Sequence, residues 1–402
     1  MRVTLVVPGF PTRENPRRGV FNLRAQQALS AFADVTVVFL RAWAPGRPYR
    51  RQSEFAGAKA TIVTAFQLPI QMPGSRFSMA ANVLLYRKLG WGAVRESVAN
   101  ADMLHSVDGV VGMVVSDWAA RSGKRHVTQV IGSDVNTVIP RLPSFAARGW
   151  ERWLHGVICN SRPLERRFTE LYPSVPNVRT IPRGVDTDLF TPLGPTQGPV
   201  VDAAPVRFAF FGGFQRQALS PHYVKGGPTL LSAWKAGERE LAKAGASLVL
   251  AGPQCRSDIV NRWHRALGYP ALVHVVGEIP PSEMPSFLRA IDVVLVPSFA
   301  EGLPNVCLEA AACGRSVLAS GVGGIPEVVV DGATGGIVPP GDVGAWRRAL
   351  VTFATQPTRL PEMGRNGRRR IQQLFDSRNY GKNVLALYQE AMRLPLTRGA
   401  SS

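Results

Sequence analysis

Val293-Val294-Leu295-Val296-Pro297-Ser298 reads as a buried strand, and Phe299-Ala300-Glu301-Gly302-Leu303 as a loop feeding a helix that starts near Pro304. Proline suits a first helical turn, where its missing N–H costs nothing. That helix carries Glu309, about 7 Å along the axis from Pro304 at 1.5 Å per residue. The design then repeats. Ser316–Ser320 is a second short apolar strand, Gly321-Val322-Gly323-Gly324 a glycine loop, and Ile325-Pro326-Glu327 opens another helix. Strand, loop and helix in tandem indicate a parallel sheet covered by helices. Its loops lie at the carboxyl ends of neighbouring strands, where helix N-termini attract anionic ligands. The glycines let backbone N–H groups approach a phosphate or sugar with no Cβ in the way. Glu301 and Glu309 then offer two carboxylates to the hydroxyl groups of one extended ligand.

Working outward, short β-branched runs alternate with helical patterns from end to end, so the whole chain reads as α/β. In the first half the expected strands are Val3–Pro8, Val35–Leu40, Ala60–Phe66, Met103–Ser106, His126–Ile131 and Val157–Asn160. The second half restarts with Arg207–Gly212, Ser247–Gly252, Val273–Gly277 and Gly336–Pro339 around the opening motif. Thr191–Pro205 is rich in proline and glycine and reads as a linker. Two doubly wound domains follow, 1–195 and 196–377. A last amphipathic helix at 378–393 (Tyr380, Val384, Leu387, Tyr388, Met392) is expected to pack back on the first.

The bulk numbers agree with two soluble domains. The chain has 402 residues, 45% of them hydrophobic, which suffices for two cores. Cys159, Cys255, Cys307 and Cys313 show no C-x-x-C pairing and read as reduced core thiols. No stretch approaches the roughly 18 apolar residues of a membrane span, and Arg2–Pro8 is too short for a signal peptide. Net charge is +19, of which residues 1–195 carry +12. Such a surface suits nucleic acid, anionic lipid or phosphorylated substrates, or is merely the solvated surface of an arginine-rich protein. No basic-aromatic motif supports nucleic acid, no Gly-x4-Gly-Lys supports a P-loop, and no Cys/His cluster supports zinc.

Glu301-Gly302-Leu303-Pro304-Asn305-Val306-Cys307-Leu308-Glu309-Ala310 resembles the Glu-x7-Glu motif of the family 4 retaining glycosyltransferases, which have the GT-B fold of two Rossmann-like domains facing across a cleft. Gly321-Val322-Gly323-Gly324-Ile325-Pro326-Glu327, Val157-Ile158-Cys159-Asn160-Ser161 and Ile181-Pro182-Arg183-Gly184-Val185-Asp186 resemble further signatures of that family. Gly9-Phe10-Pro11-Thr12 with Gly19-Val20-Phe21 is similar to members that build bacterial cell-surface polysaccharides. The resemblance spans nearly the whole chain and is tightest in the second half.

The resemblance implies transfer of a hexose, with retention, from a UDP- or GDP-sugar to a saccharide or polyprenyl-linked acceptor, without metal or other cofactor. It implies that Glu301 meets the donor sugar's hydroxyls and Glu309 the ribose. Gly213, Leu303, Pro304, Asn305, Gly323, Gly324 and Glu327 would line the donor, and Gly19 would let backbone approach its phosphate from the opposite wall. Lys225 matches the family's lysine, and Arg216 stands in the neighbourhood of its arginine. Cations there would stabilise the departing diphosphate; the alternative is two solvated surface cations. His105 matches the strand-end histidine on the acceptor side, against the alternative of a structural residue. Where the family often has His-Gly, this chain has Ile131-Gly132, with Asp134 nearby to take an acceptor hydroxyl. That departure supports a rival reading, a catalytically silent scaffold of the same fold, which the intact Glu301, Glu309 and Lys225 oppose. Asp186-Thr187-Asp188 has the metal-binding form of another glycosyltransferase fold, but it lies away from the phosphate loops.

Two stretches mix arginine with aromatic residues, Arg76–Lys88 and Arg141–Leu154. Both read as interfacial helices for an anionic membrane surface, or as helices whose apolar side faces the core. The expected location is the cytoplasm, with peripheral docking on the inner face of the plasma membrane.

Overall fold

Short apolar runs bounded by glycine, proline or polar residues become strands throughout, and longer amphipathic runs become helices. The computed structural model describes residues 1–42, 48–65, 75–196, 204–214, 224–252 and 255–396. They fall into two units: Met1–Arg183 with Arg378–Ser402, and Gly184–Ser377.

The first unit runs β1 (Arg2–Val7), α1 (Val20–Ser30), β2 (Asp34–Ala42), β3 (Arg50–Phe55), β4 (Ala58–Ala65), α2 (Ser75–Ala99), β5 (Met103–Val107), α3 (Gly109–Ser122), β6 (Arg125–Val130), α4 (Ser144–Ala147), β7 (Gly156–Cys159), α5 (Arg162–Leu171) and β8 (Val178–Thr180). Its sheet has the order β3-β4-β2-β1-β5-β6-β7-β8. All neighbours are parallel except β3, which returns antiparallel on β4. The turn between them places Ala56 (φ 49°) and Gly57 (φ 76°) in the left-handed region, as a two-residue hairpin loop of the favoured twist requires. Neither β3, polar and at the sheet edge, nor the short β8 was expected from the sequence.

The second unit runs β9 (Val206–Phe211), α6 (Gly227–Lys243), β10 (Ala246–Ala251), α7 (Asp258–Arg265), β11 (Val273–Gly277), α8 (Met284–Arg289), β12 (Val293–Val296), α9 (Asn305–Ala312), β13 (Ser316–Ser320), α10 (Ile325–Val328), β14 (Gly335–Val338), α11 (Val343–Thr355) and α12 (Leu360–Leu374). Its six parallel strands take the order β11-β10-β9-β12-β13-β14. Both faces of the sheet are covered, and strand parity divides the core. In β9, Val206, Phe208 and Phe210 pack with Trp234 and Trp346, while Ala209 packs with Phe287 and Leu308.

The C-terminal helix (Arg378–Met392) belongs to the first unit, burying Tyr380, Val384, Leu387 and Tyr388 against Val3, Met103 and Ile158. A Cβ at Gly381 would collide with the Ala28 carbonyl of α1, so glycine sets how closely these two helices approach. The boundary between units falls at 183/184, not at 195/196. Residues 184–196 are not a loose linker, because the second unit holds them: Val185 bridges to Asp376, Phe190 is buried, and the Arg289 guanidinium donates to the Pro195 carbonyl at 2.8 Å. Residues 197–203 of the expected linker lie outside the described residues.

Arg141–Leu154 is not one interfacial helix. Proline at 140 and 143 and glycine at 149 break it into short turns around α4. Trp150 and Leu154 go into the core, Trp150 edge-on to Phe168 and Tyr172, leaving Phe145, Arg141, Arg148 and Arg152 exposed. The four cysteines are buried and free. Among the described residues no helix is long and apolar enough to cross a membrane.

Candidate active site

In the second unit the strand order reverses direction between β9 and β12, and a sheet of this kind opens a crevice at the carboxyl ends of those two strands. Three loops meet there. The loop before α6 brings Lys225, the loop after β12 brings Ser298 and Glu301, and the loop after β13 brings Gly323 and Gly324. Backbone bonds tie them together: Phe299 N–H donates to Val224 O at 2.8 Å, and Gly324 N–H to Gly302 O at 2.7 Å. Gly226 (φ 68°) and Gly323 (φ 54°) sit in left-handed conformations, and a Cβ on either would overlap the carbonyl of Pro297 or Glu301. Glycine is required at both positions for the loops to close on one another.

The side chains converge on one atom. Glu301 Oε1 accepts from Lys225 Nζ at 2.8 Å and from Ser298 Oγ at 2.7 Å. Ser298 is buried, the Glu301 side chain is 10% exposed and that of Lys225 43% exposed. One carboxylate oxygen is thus fixed by two donors, while Oε2 takes no hydrogen bond among the described residues. Held in this way, Glu301 can accept from a ligand hydroxyl, and the Lys225 ammonium keeps N–H groups for an anion. Asn305 begins α9 directly behind the loop, with Pro304 extended before it (ψ 124°). The first-turn N–H groups of such a helix have no carbonyl within it to bond. Glu309 lies half-buried on the same helix, Leu303 lies half-buried before it, and Glu327 is in the first turn of α10. Gly213 follows the end of β9. Arg216 lies outside the described residues.

The first unit treats its expected residues differently. Alternation along β5 points Met103, His105 and Val107 to the face covered by α1 and the C-terminal helix. His105 is therefore fully buried, its Nδ1 2.5 Å from Tyr388 Oη and its ring edge-on to that tyrosine. Burial, with Arg183 nearby, pushes its pKa down to about 3. This is a neutral core histidine, and the acceptor-side catalytic role expected of it is corrected to a packing one. Asp134 is corrected too. Its carboxylate accepts from the N–H groups of Gly109 (2.8 Å), Ile131 (3.1 Å), Gly132 (2.7 Å) and Val135 (2.9 Å), stitching the loop after β6 to the start of α3. Bound by four backbone donors and 1% exposed, it has no lone pair to offer an acceptor hydroxyl. Gly19 (φ 69°) has a structural reason of its own, since a Cβ would strike the Gly9 carbonyl.

Two family models match the chain: "Glycosyltransferase Family 4" over residues 20–189 and "Glycosyl transferases group 1" over 207–356. The chain belongs to the family 4 glycosyltransferases. Among relatives of this family member, the D-inositol 3-phosphate glycosyltransferase of Segniliparus rotundus is 29% identical over 245 residues, 59% of this chain. The matched stretch spans about half that relative's length, 52%. Sucrose-phosphate synthase from Thermosynechococcus elongatus superposes with a TM-score of 0.71 at 21% identity, covering 97% of this chain and 99% of the other. Anabaena HepE, solved with UDP and glucose, gives 0.69 at 17% identity over 97% and 99%. These likenesses show the two-domain GT-B fold.

Against this family pattern, the second unit brings Lys225, Glu301, Gly323, Gly324 and the start of α9 into one crevice. His105 and Asp134 are both buried within the first unit. The sequence reading missed Ser298, although its position at the end of the strand preceding the Glu301 loop was a usable signal. It also missed Asp108 and a network in which Arg183 Nε and Tyr380 Oη both donate to the buried Gln129 Oε1 (3.1 and 3.0 Å). Among the described residues no group of three or more His, Cys, Asp or Glu side chains is arranged to hold a metal ion.

Proposed function

We propose that this chain transfers a sugar from a nucleoside diphosphate to an acceptor hydroxyl, with the configuration at the anomeric carbon retained. The observation that carries the proposal is the cluster of Lys225, Glu301 and Ser298 at the switch point of the second sheet. In the reaction the bond from the anomeric carbon to the diphosphate oxygen breaks, the acceptor oxygen bonds to that carbon on the same face, and the acceptor proton leaves with the diphosphate. The chain's own contribution is electrostatic and positional. Lys225 and the N-terminus of α9 meet the charge that develops on the leaving diphosphate. The open oxygen of Glu301 accepts from a sugar hydroxyl, and Glu309 is placed one helical turn on for the ribose. The UDP and glucose bound to HepE support a UDP-sugar donor. For the acceptor we propose a saccharide or a lipid-linked sugar of cell-surface polysaccharide synthesis.

The test is a panel of UDP-, GDP- and ADP-sugars, read by thermal shift and by release of nucleoside diphosphate in the presence of EDTA. A shift and turnover with one donor that survive the chelator are expected. Binding without turnover toward any saccharide acceptor would leave the scaffold reading standing, and loss of turnover in EDTA restored by Mg²⁺ would overturn metal independence.

A membrane site for the acceptor is part of the same proposal. α2 exposes Phe77, Leu84, Lys88 and Leu89, and α4 beside it exposes Phe145 between Arg141 and Arg148. The Arg87 guanidinium joins the two by donating to Ala146 O at 2.9 Å. Aromatic tips among cations suit an anionic lipid surface. Co-sedimentation with phosphatidylglycerol vesicles should weaken with salt and with Arg141→Glu plus Arg148→Glu; equal pelleting with neutral vesicles would sink it.

A further inference from the structure

β3 closes the first sheet on one side, and among the described residues no strand pairs with its outer edge. Antiparallel neighbours alternate between residue pairs that exchange backbone hydrogen bonds and pairs that do not. Thr64 N–H donates to Tyr49 O at 2.8 Å, and these two residues continue the register that sets Arg50 opposite Val63. Tyr49, Arg51, Ser53 and Phe55 therefore direct their backbone groups to β4. Arg50, Gln52 and Glu54 turn their N–H and C=O groups outward, an open template for another strand.

Sheets commonly guard such an edge with a proline, a bulge or repelling charges. β3 contains no proline, and its register on β4 runs unbroken over all 6 residues. Its outward residues carry both signs of charge, placed symmetrically about Gln52. Arg50, Gln52 and Glu54 alternate with Arg51 and Ser53, so they share one face of the sheet. Two contacts identify that face: Arg50 reaches Glu96 of α2 at 3.7 Å, and Gln52 Nε2 donates to Thr61 Oγ1 at 3.0 Å. All three side chains are exposed, and Glu54 makes no ion pair among the described residues.

We infer that β3 pairs antiparallel with β3 of a second copy of this chain, about a two-fold axis at Gln52. A two-fold normal to the sheet keeps every residue on its own face, so only residues of like parity stand opposite one another. The outward backbone groups, all on even-numbered residues, meet the same condition. Centring on Gln52 sets Arg50 opposite Glu54 at both ends and Gln52 opposite itself. Centring on Arg51 sets arginine against arginine, and centring on Ser53 sets Glu54 opposite Gln52 and leaves Arg50 opposite Ala56. Opposite charges directly across a strand pair attract and like charges repel, so the charges of β3 select the Gln52 register. That register supplies about six backbone hydrogen bonds and joins two eight-stranded sheets into one. One short strand makes a small interface, and small interfaces associate reversibly.

Sedimentation velocity of the full chain should show a dimer that half-dissociates at about 1–100 μM, the weak end expected below the standard interface size. Arg50→Glu and Glu54→Arg each set like charges opposite one another at both ends. Either alone should weaken dimerisation by at least about tenfold, since the two-fold counts each change twice. An equimolar mixture of the two variants restores acid against base at both ends and should dimerise as the parent does. The double variant, Arg50→Glu plus Glu54→Arg, should do so by itself. Gln52→Pro removes an outward N–H while sparing the bonds to β4, and should abolish the dimer. Melting curves of all these variants should stay close to the parent's, because the side chains are exposed; should a single variant melt early, the double variant and Gln52→Pro still decide. A parent that is monomeric throughout the concentration range, folded single variants that dimerise undiminished, a mixture that stays monomeric, or a dimer that survives Gln52→Pro would overturn the inference.

Discussion

The two units use one architecture for two kinds of surface. Each is a doubly wound sheet whose strand order reverses, at β1/β5 in the first and at β9/β12 in the second. In the second unit the loops at the reversal carry a lysine, a glutamate and a serine joined through one oxygen atom. In the first they border a largely apolar cavity, with the strained Asp108 in its wall. The backbone topology decides where neighbouring loops diverge, and the side chains on those loops decide what they can hold. A charged diphosphate needs fixed donors, which the second unit supplies.

The comparison breaks most easily at Lys225. Lys225→Ala should lower the rate of sugar transfer by about 10²–10³-fold, on the scale of other preorganised charge partners, with the melting temperature unchanged, since the side chain is well exposed. Retention of half the parental turnover would remove the second crevice as the place of chemistry. The first unit should show the opposite balance at Asp134. Asp134→Ala strands four backbone N–H groups at 1% exposure, and a cost of about 3 kcal/mol is expected, read as a lower urea midpoint at constant m-value. A stable Asp134→Ala protein with lost transfer would return that residue to the acceptor site.

The smallest effects sharpen the contrast within the first unit. Asp108 is an acid whose folded pKa is raised, so it binds a proton more tightly folded than unfolded. Its contribution to stability is complete in acid and is lost as pH rises from about 4 to about 7. Asp134, whose own pKa is raised by burial, and Arg18 are the titratable groups around it. His105 is a base whose folded pKa is lowered, with Arg183 nearby, so stability is lost as pH falls from about 6.5 toward 3. Asp108→Asn should therefore gain on the parent between pH 5 and pH 8, and His105→Gln should flatten the acid limb while leaving transfer within about twofold. Melting curves across that range check both signs; a transfer defect in His105→Gln would reopen its catalytic assignment.

How much could be read in advance differs between the units for the same physical reason. Glu301 and the glycines after β13 occur within short loops whose flanking strands and helices announce themselves, so residue spacing brought them near one another, whereas Lys225, 76 residues from Glu301, was reached only through the family resemblance. Ser298 was overlooked because a serine at a strand end is common until a carboxylate is found on it. His105 and Asp134 were misassigned because a strand end looks the same from the sequence whichever face its side chain takes. For His105 the parity of β5 and the packing of Tyr388, 283 residues away, decided burial. For Asp134 the deciding partner was Gly109 N–H on another segment. β3 escaped notice because an edge strand with arginine, glutamine and glutamate facing water lacks the apolar alternation that marks a strand.

The amino-acid sequence by itself determined two α/β halves, the strand–loop–helix units at 293–327 and the helix near 378–393. These follow from local periodicity, from glycine and proline, and from spacings of a few residues. Only the tertiary structure decided that Gly184–Thr196 packs with the second unit, that Trp150 and Leu154 leave the surface, and that Asp134 is an organiser of loops. It alone showed that Asp108 heads a cavity. Each of these depends on which distant segment supplies a hydrogen-bond partner or an apolar wall, and burial of that kind is set by contacts between residues far apart in the chain.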